Sequence, residues 1–141
     1  MAPTQGSGPT TQGPQGSSDR LRVMTQVQVA VEGPVHVVSF VRDERGLVSP
    51  ELVRSYFSSS MLTHTHGWAR VVLDLSGVSV LDSAALGPLV QKLREVQELD
   101  GKLVLTGVDA PALREIFALT RFDRVFPILP TRATALAIAA G

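Results

Sequence analysis

The segment Val71–Val90, VVLDLSGVSVLDSAALGPLV, changes its apolar period partway along, and that change governs how its neighbours must fold. Val71-Val72-Leu73 has no polar face, as expected of a strand covered on both sides. A polar turn at Ser76-Gly77, a second apolar patch and Asp82-Ser83 follow. Beyond them Leu86, Leu89, Val90, Leu93 and Val96 recur at offsets of three and four, the spacing of one helical face. Ser83 therefore falls where a buried strand has ended and a helix begins. Its hydroxyl has two readings there: a cap on the first helical N–H groups, or a group presented to a partner.

The same alternation of periods extends in both directions. Val23, Thr25, Val27, Val29 and Val31 alternate with more polar residues, which predicts a half-buried strand. Glu32-Gly33-Pro34 turns it into a more buried strand, Val35–Val41, and Arg42–Gly46 reads as a solvated connection. Ser49-Pro50-Glu51 opens a helix with Leu52, Val53, Tyr56, Phe57 and Met61 on its apolar face, ending at His64-Thr65-His66-Gly67. Trp68–Leu75 is the most apolar strand and is placed centrally. The Ser83 helix runs to about Leu99, with Gln91, Lys92, Arg94, Glu95 and Glu98 on its wet side, and Asp100-Gly101 closes it. Lys102–Thr106 predicts a strand, Asp109 the cap of a helix through Pro111, Leu113, Ile116 and Phe117, and Val125–Leu129 another strand. Thr131 starts a final Ala-rich helix containing Leu136 and Ile138. The order is that of a single α/β domain over residues 21–141. It predicts a mixed, mostly parallel sheet of about five strands, one of them a hairpin strand at an edge, with about four helices. Residues 1–20, nearly all Gly, Pro, Ser, Thr and Gln, read as a disordered tail.

Composition excludes several function classes. No Cys is present, so disulfides, thiolate metal sites and cysteine nucleophiles are ruled out. Thirteen basic residues balance thirteen acidic ones, which gives no electrostatic footprint for nucleic acid or an anionic membrane. No apolar run nears the roughly 20 residues of a membrane span, and no signal-peptide plan is present, so a cytoplasmic location is expected. Nucleophile-elbow, phosphate-loop, zincin and dinucleotide motifs are all missing. Asp74 and Asp82 read as structural carboxylates, and His36 as a packed or edge residue. His64 and His66 lack a third ligand placed by motif. No catalytic residue, metal or cofactor is expected.

The run Val72-Leu73-Asp74-Leu75-Ser76-Gly77-Val78, followed by Leu81-Asp82-Ser83-Ala84-Ala85-Leu86-Gly87, resembles the signature of STAS domains, specifically the bacterial anti-sigma factor antagonists. Gly101–Leu105, Pro111–Arg114 and Leu119–Phe126 resemble the family's usual tail, and the likeness covers about residues 24–140. It implies a STAS-type domain and a partner switch. In such a switch the unphosphorylated antagonist binds an anti-sigma factor, often itself a serine kinase, and frees a sigma factor. Phosphorylation, carried over to Ser83, prevents that binding, and a phosphatase resets the system. The implied docking residues are Asp82, Ser83, Ala84, Leu86 and Ser79. The alternative is a non-switching STAS interaction or scaffold subunit of a signalling or lipid-transport assembly. A nucleotide binder has less support, since no phosphate-cradling loop is present. Three features depart from the family pattern: Arg42–Ser49 replaces its usual Gly-Glu-[Leu/Ile]-Asp segment, Ala84-Ala85 replaces Ser/Thr-Gly, and Pro88 falls early in the helix. If Gly87 were the cap and Pro88 the first helical residue, Ser83 would lie in a loop.

Overall fold

A computed structural model describes residues 22–141, and the tail expected over residues 1–20 lies outside them. Val27–Glu32 (β1) and Val35–Phe40 (β2) form an antiparallel hairpin that turns at Gly33. β2 then runs parallel to Arg70–Asp74 (β3), which pairs in parallel with Lys102–Thr106 (β4), and β4 with Ile128–Leu129 (β5). The sheet order is β1-β2-β3-β4-β5, so each crossover lays the next strand beside the last.

The first crossover holds helix α1, Pro50–Ser55, a π-helical turn at Tyr56–Ser60, and helix α2, Met61–His64. Ser49 caps α1 by accepting the Leu52 amide at 3.4 Å, and Pro50 occupies the first turn, where its missing N–H costs nothing. Ser83–Glu98 (α3) and Pro111–Leu119 (α4) supply the next two crossovers. Arg132–Ala140 (α5) ends the fold behind a capping box between Thr131 and Thr134.

Two apolar cores result. Val38, Phe40, Val71, Leu73, Leu103 and Leu105 face α1–α4 and meet Tyr56, Phe57, Leu89, Val96 and Phe117. Val35, Val37, Val72 and Val104 face the other way and pack on Ala135 and Ala139 of α5. Small alanines there let α5 lie close to the sheet. The apolar run of β3 is explained by this double cover.

Several local expectations are corrected. Residues 22–25 form a helical turn closed by the Gln26 amide on the Val23 carbonyl at 3.0 Å, and β1 starts only at Val27. The turn lets Val23 reach the core, which an extended chain at the sheet edge would not. Val29 and Val31 are exposed at 41% and 63%, because among the described residues no helix packs over this part of β1. Asp109 is no cap: α4 begins after Ala110 without a side-chain cap bond. Phe122–Arg124 forms a 3-10 turn, so β5 shrinks to two residues. Asp100, not Gly101, takes the left-handed conformation after α3, at φ 56°. Gly101 is needed for close approach, since a Cβ there would overlap the Ala69 carbonyl.

The largest correction concerns Lys92, predicted on the wet side of α3 and found fully buried. Its Nζ donates to the Thr65 carbonyl at 2.7 Å, the Trp68 carbonyl at 2.9 Å and Glu95 Oε1 at 2.6 Å. Glu95 Oε2 in turn accepts the Gly67 amide at 2.8 Å. All three ammonium donors are used, so the buried charge is matched. The network ties the α2–β3 connection to α3. Lys92→Ala would strip the Trp68 carbonyl and Glu95 Oε1 of their donor, while the Thr65 carbonyl keeps the Trp68 amide at 3.0 Å. It is expected to lower unfolding free energy by about 3 kcal/mol in urea denaturation. A loss below about 0.5 kcal/mol would contradict this role.

Candidate docking site

The site is built by the segment that leaves β3. Gly77 turns the chain at φ 84°, and a Cβ there would lie 2.7 Å from both Arg42 Cδ and the Gly46 carbonyl oxygen. The Gly77 carbonyl accepts the Val48 amide at 2.9 Å, which docks the loop after β2 against this turn. Within that loop the Asp43 carboxylate accepts the amides of Leu47 and Arg45, at 3.0 and 2.8 Å. These bonds, the one from Leu47 foremost, hold its carboxyl below the usual range. Val78 and Leu81 are buried, at 2% and 1% exposure, and anchor the segment. Ser79 and Val80 between them are left outside.

Asp82 has extended backbone and is the N-cap of α3, although its side chain makes no cap bond. Its carboxylate lies 3.8 Å from Arg54 Nε, with both side chains more than half exposed, so the pair contributes little stability. Ser83 is the first helical residue and is exposed. Among the described residues its hydroxyl has no hydrogen-bond partner, and the capping reading of Ser83 therefore fails. The reason is positional: the extended residue that precedes a helix caps it, and that residue is Asp82. The alternative start at Gly87-Pro88 is not adopted either. Pro88 lies inside α3, and the Ala84 carbonyl lacks the donor a non-proline would supply.

Ser79, Asp82, Ser83 and Ala84 thus share one exposed end of the domain, while Leu86 is half-buried against the core. Sequence reasoning missed the apolar part of this surface. Leu47 and Val80 are exposed at 38% and 51%. Ser79 lines a groove of about 240 Å³ with Leu47, Val78, Gly107 and Ala110. Asp82 and Val80 line a second groove, of about 110 Å³, with Pro50, Val53, Arg54 and Ala85. The only signal for Val80 was an apolar residue between two core positions; for Leu47 there was none beyond its apolarity in a charged loop.

Other predicted candidates lie elsewhere. Asp74 closes β3 and is engaged by Ser76 and Arg132. Burial opposes its charge, but the Ser76 hydroxyl and amide and the Arg132 guanidinium outweigh this and hold its carboxyl low. His64 Nδ1 bonds the Tyr56 hydroxyl at 2.8 Å, and burial lowers its pKa while pushing the phenol's upward. His36 stacks on Trp68 with ring centres 4.1 Å apart. Among the described residues no three His, Asp or Glu side chains converge as a metal site, and no helix is long and apolar enough to cross a membrane.

Comparison with known proteins bears on this end of the molecule. A family model described as STAS domain matches residues 49–135, from the α1 cap to the first turn of α5. A Bordetella bronchiseptica protein named as anti-sigma factor antagonist BtrV is 34% identical over 71 residues, covering 50% of this chain and 60% of that protein. The match thus spans less than two thirds of that curated relative's length. A solved STAS-domain protein of Planctomyces limnophilus, named as an anti-sigma-factor antagonist, superposes with a TM-score of 0.60 at 28% identity, over 82% of this chain and 98% of that one. A Thermotoga maritima structure named likewise gives 0.61 at 20% identity, over 85% and 99%, a likeness of fold.

Because the Ser83 hydroxyl caps nothing, Ser83→Ala is expected to leave thermal and urea stability within about 0.5 kcal/mol of the parent. A loss near 1 kcal/mol, the usual cost of deleting a cap, would contradict the geometry.

Proposed function

This chain belongs to the STAS domain family, and from that premise we propose that it is an anti-sigma factor antagonist switched by phosphorylation at Ser83. The unphosphorylated form binds an anti-sigma factor through the α3 end of the domain and frees a sigma factor. The anti-sigma factor doubles as the serine kinase, and a phosphatase reverses the modification. ATP is the kinase's substrate, so this chain is a cytoplasmic regulator with no catalysis, cofactor or nucleic-acid contact of its own. Ser79, Asp82, Ser83, Ala84 and the accessible part of Leu86 form the contact set, joined by Val80 and Leu47.

The observation that carries the reading is the free, exposed Ser83 hydroxyl at the first position of α3, whose neighbours Asp82 and Ala85 line one shallow groove and whose preceding segment lines another through Ser79. A kinase needs such a hydroxyl within reach, and a docking partner needs apolar area beside it to bury. Phosphorylation would add a charge of about −1.5 to −2 at this point. Within the domain the helix N-terminus tolerates that charge, through its dipole and unpaired amides. Against a partner surface the same charge must be desolvated beside Asp82, and binding is lost while the fold is kept. The loop that replaces the family's usual acidic segment contributes Leu47, so partner choice is read partly there.

Isothermal titration calorimetry against the cognate anti-sigma factor tests the proposal. Ser83→Glu is expected to weaken binding by about a hundredfold or more, with an unchanged melting temperature. Binding retained within threefold would favour the non-switching interaction subunit.

A further inference from the structure

The α5 face of the sheet is apolar through its middle, but its character changes where β2 and β3 end. Gln28 pairs in register with Ser39, and Asp74 with Thr106. Since Val38 stands opposite Leu73, Ser39 comes next to Asp74 in the following step. Four polar side chains therefore form one row across β1 to β4, beyond a middle built of Val and Ala. α5 packs over β3 and β4 and leaves the β1–β2 end of this row uncovered.

A cleft of about 340 Å³ opens there, lined by Gln28, Ser39, Arg42, Asp74, Ser76 and Arg132. That volume is at the lower end of small-molecule sites, roughly 300–1,000 Å³. Asp74 presents no free charge to it. Its Oδ1 accepts the Ser76 hydroxyl and amide at 2.6 and 3.0 Å, and its Oδ2 accepts Arg132 Nη2 and Nε at 2.9 and 3.2 Å. Arg132 is held in place by this pair and keeps its Nη1 donors unused. Among the described residues the Arg42 guanidinium, the Gln28 amide and the Ser39 hydroxyl have no partner. The cleft thus gathers more donors than acceptors and one net positive charge, from two guanidiniums against one neutralised carboxylate.

We propose that this cleft binds a phosphate group, as the free ion or as the ester of a small metabolite. Arg42 and Arg132 supply charge, and Ser39 and Gln28 donate hydrogen bonds. The site uses side chains rather than a glycine-rich loop, which is why no phosphate motif marks it in the sequence. It lies at the carboxyl ends of the parallel strands, the end where open α/β sheets take ligands. The stem of Arg42 also lies against Gly77, which places this cleft next to the turn that carries Ser79.

Amide NMR shifts of the full chain, followed in titrations with sodium phosphate and glycerol 3-phosphate against sodium chloride of equal ionic strength, test the proposal. Saturable shifts at Gln28, Ser39, Arg42 and Arg132 are expected, with Arg42→Ala and Ser39→Ala retaining folded spectra. Arg42→Ala should weaken the affinity about tenfold or more. Equal affinity for both probes would assign the phosphate group alone, and tighter binding of the ester a phosphorylated metabolite. Shifts that do not saturate, that sodium chloride reproduces, or that survive undiminished in both variants would overturn it.

Discussion

β3 is buried on both faces, and the rest of the molecule is positioned by that double burial. Val71 and Leu73 face the helices α1–α4, and Val72 faces α5. Each such side chain contributes about 1.5–3 kcal/mol when fully removed from water. The strand therefore cannot slip by one residue, since a slip would exchange the two faces along its whole length. With β3 fixed, Leu75, Val78 and Leu81 fix the segment that follows it. Ser83 is presented where it is because these three anchors leave α3 only one place to begin.

This dependence separates what the sequence disclosed from what it did not. The strand and helix periods, the Ser49-Pro50 start and the Thr131 cap are local, and each was readable in a few consecutive residues. The position of Ser83 at a strand-to-helix junction was readable for the same reason. Lys92 was not, because a lysine at a helical offset looks solvated until the carbonyls of Thr65 and Trp68 are brought beside it. Val23 was misread because an alternating pattern also fits one helical turn followed by a strand. The exposure of Val80 and Leu47 depends on which loops meet at α3, which no local pattern encodes. The row from Gln28 to Thr106 was invisible for a plainer reason: its members belong to four strands and are aligned only by the register.

The proposed docking surface and the polar cleft meet at the Gly77 turn. One side of that turn holds the loop with Leu47, and the next residues carry Ser79 and Val80 to the proposed docking surface. Its other side supports the stem of Arg42 at the mouth of the polar cleft. A glycine is required there twice over, by its left-handed φ and by the Gly46 carbonyl and Arg42 stem that any Cβ would meet. The docking surface and the cleft lie on opposite faces of the sheet, yet this short segment borders both. The proposed docking surface combines shallow apolar grooves with Asp82, Arg54 and Asp109, and a phosphate added there would be its largest single charge.

The central claim is that the free hydroxyl of Ser83 is a modification site that controls docking. The most direct test is intact mass with peptide mapping of the protein recovered from its own host, in growth and under stress. The account predicts a single phosphate on Ser83 whose occupancy changes between conditions, with the bound anti-sigma factor recovered only alongside the unmodified form. A Ser83 that stays bare in every condition, or a phosphorylated form that still co-purifies with the partner, would contradict it.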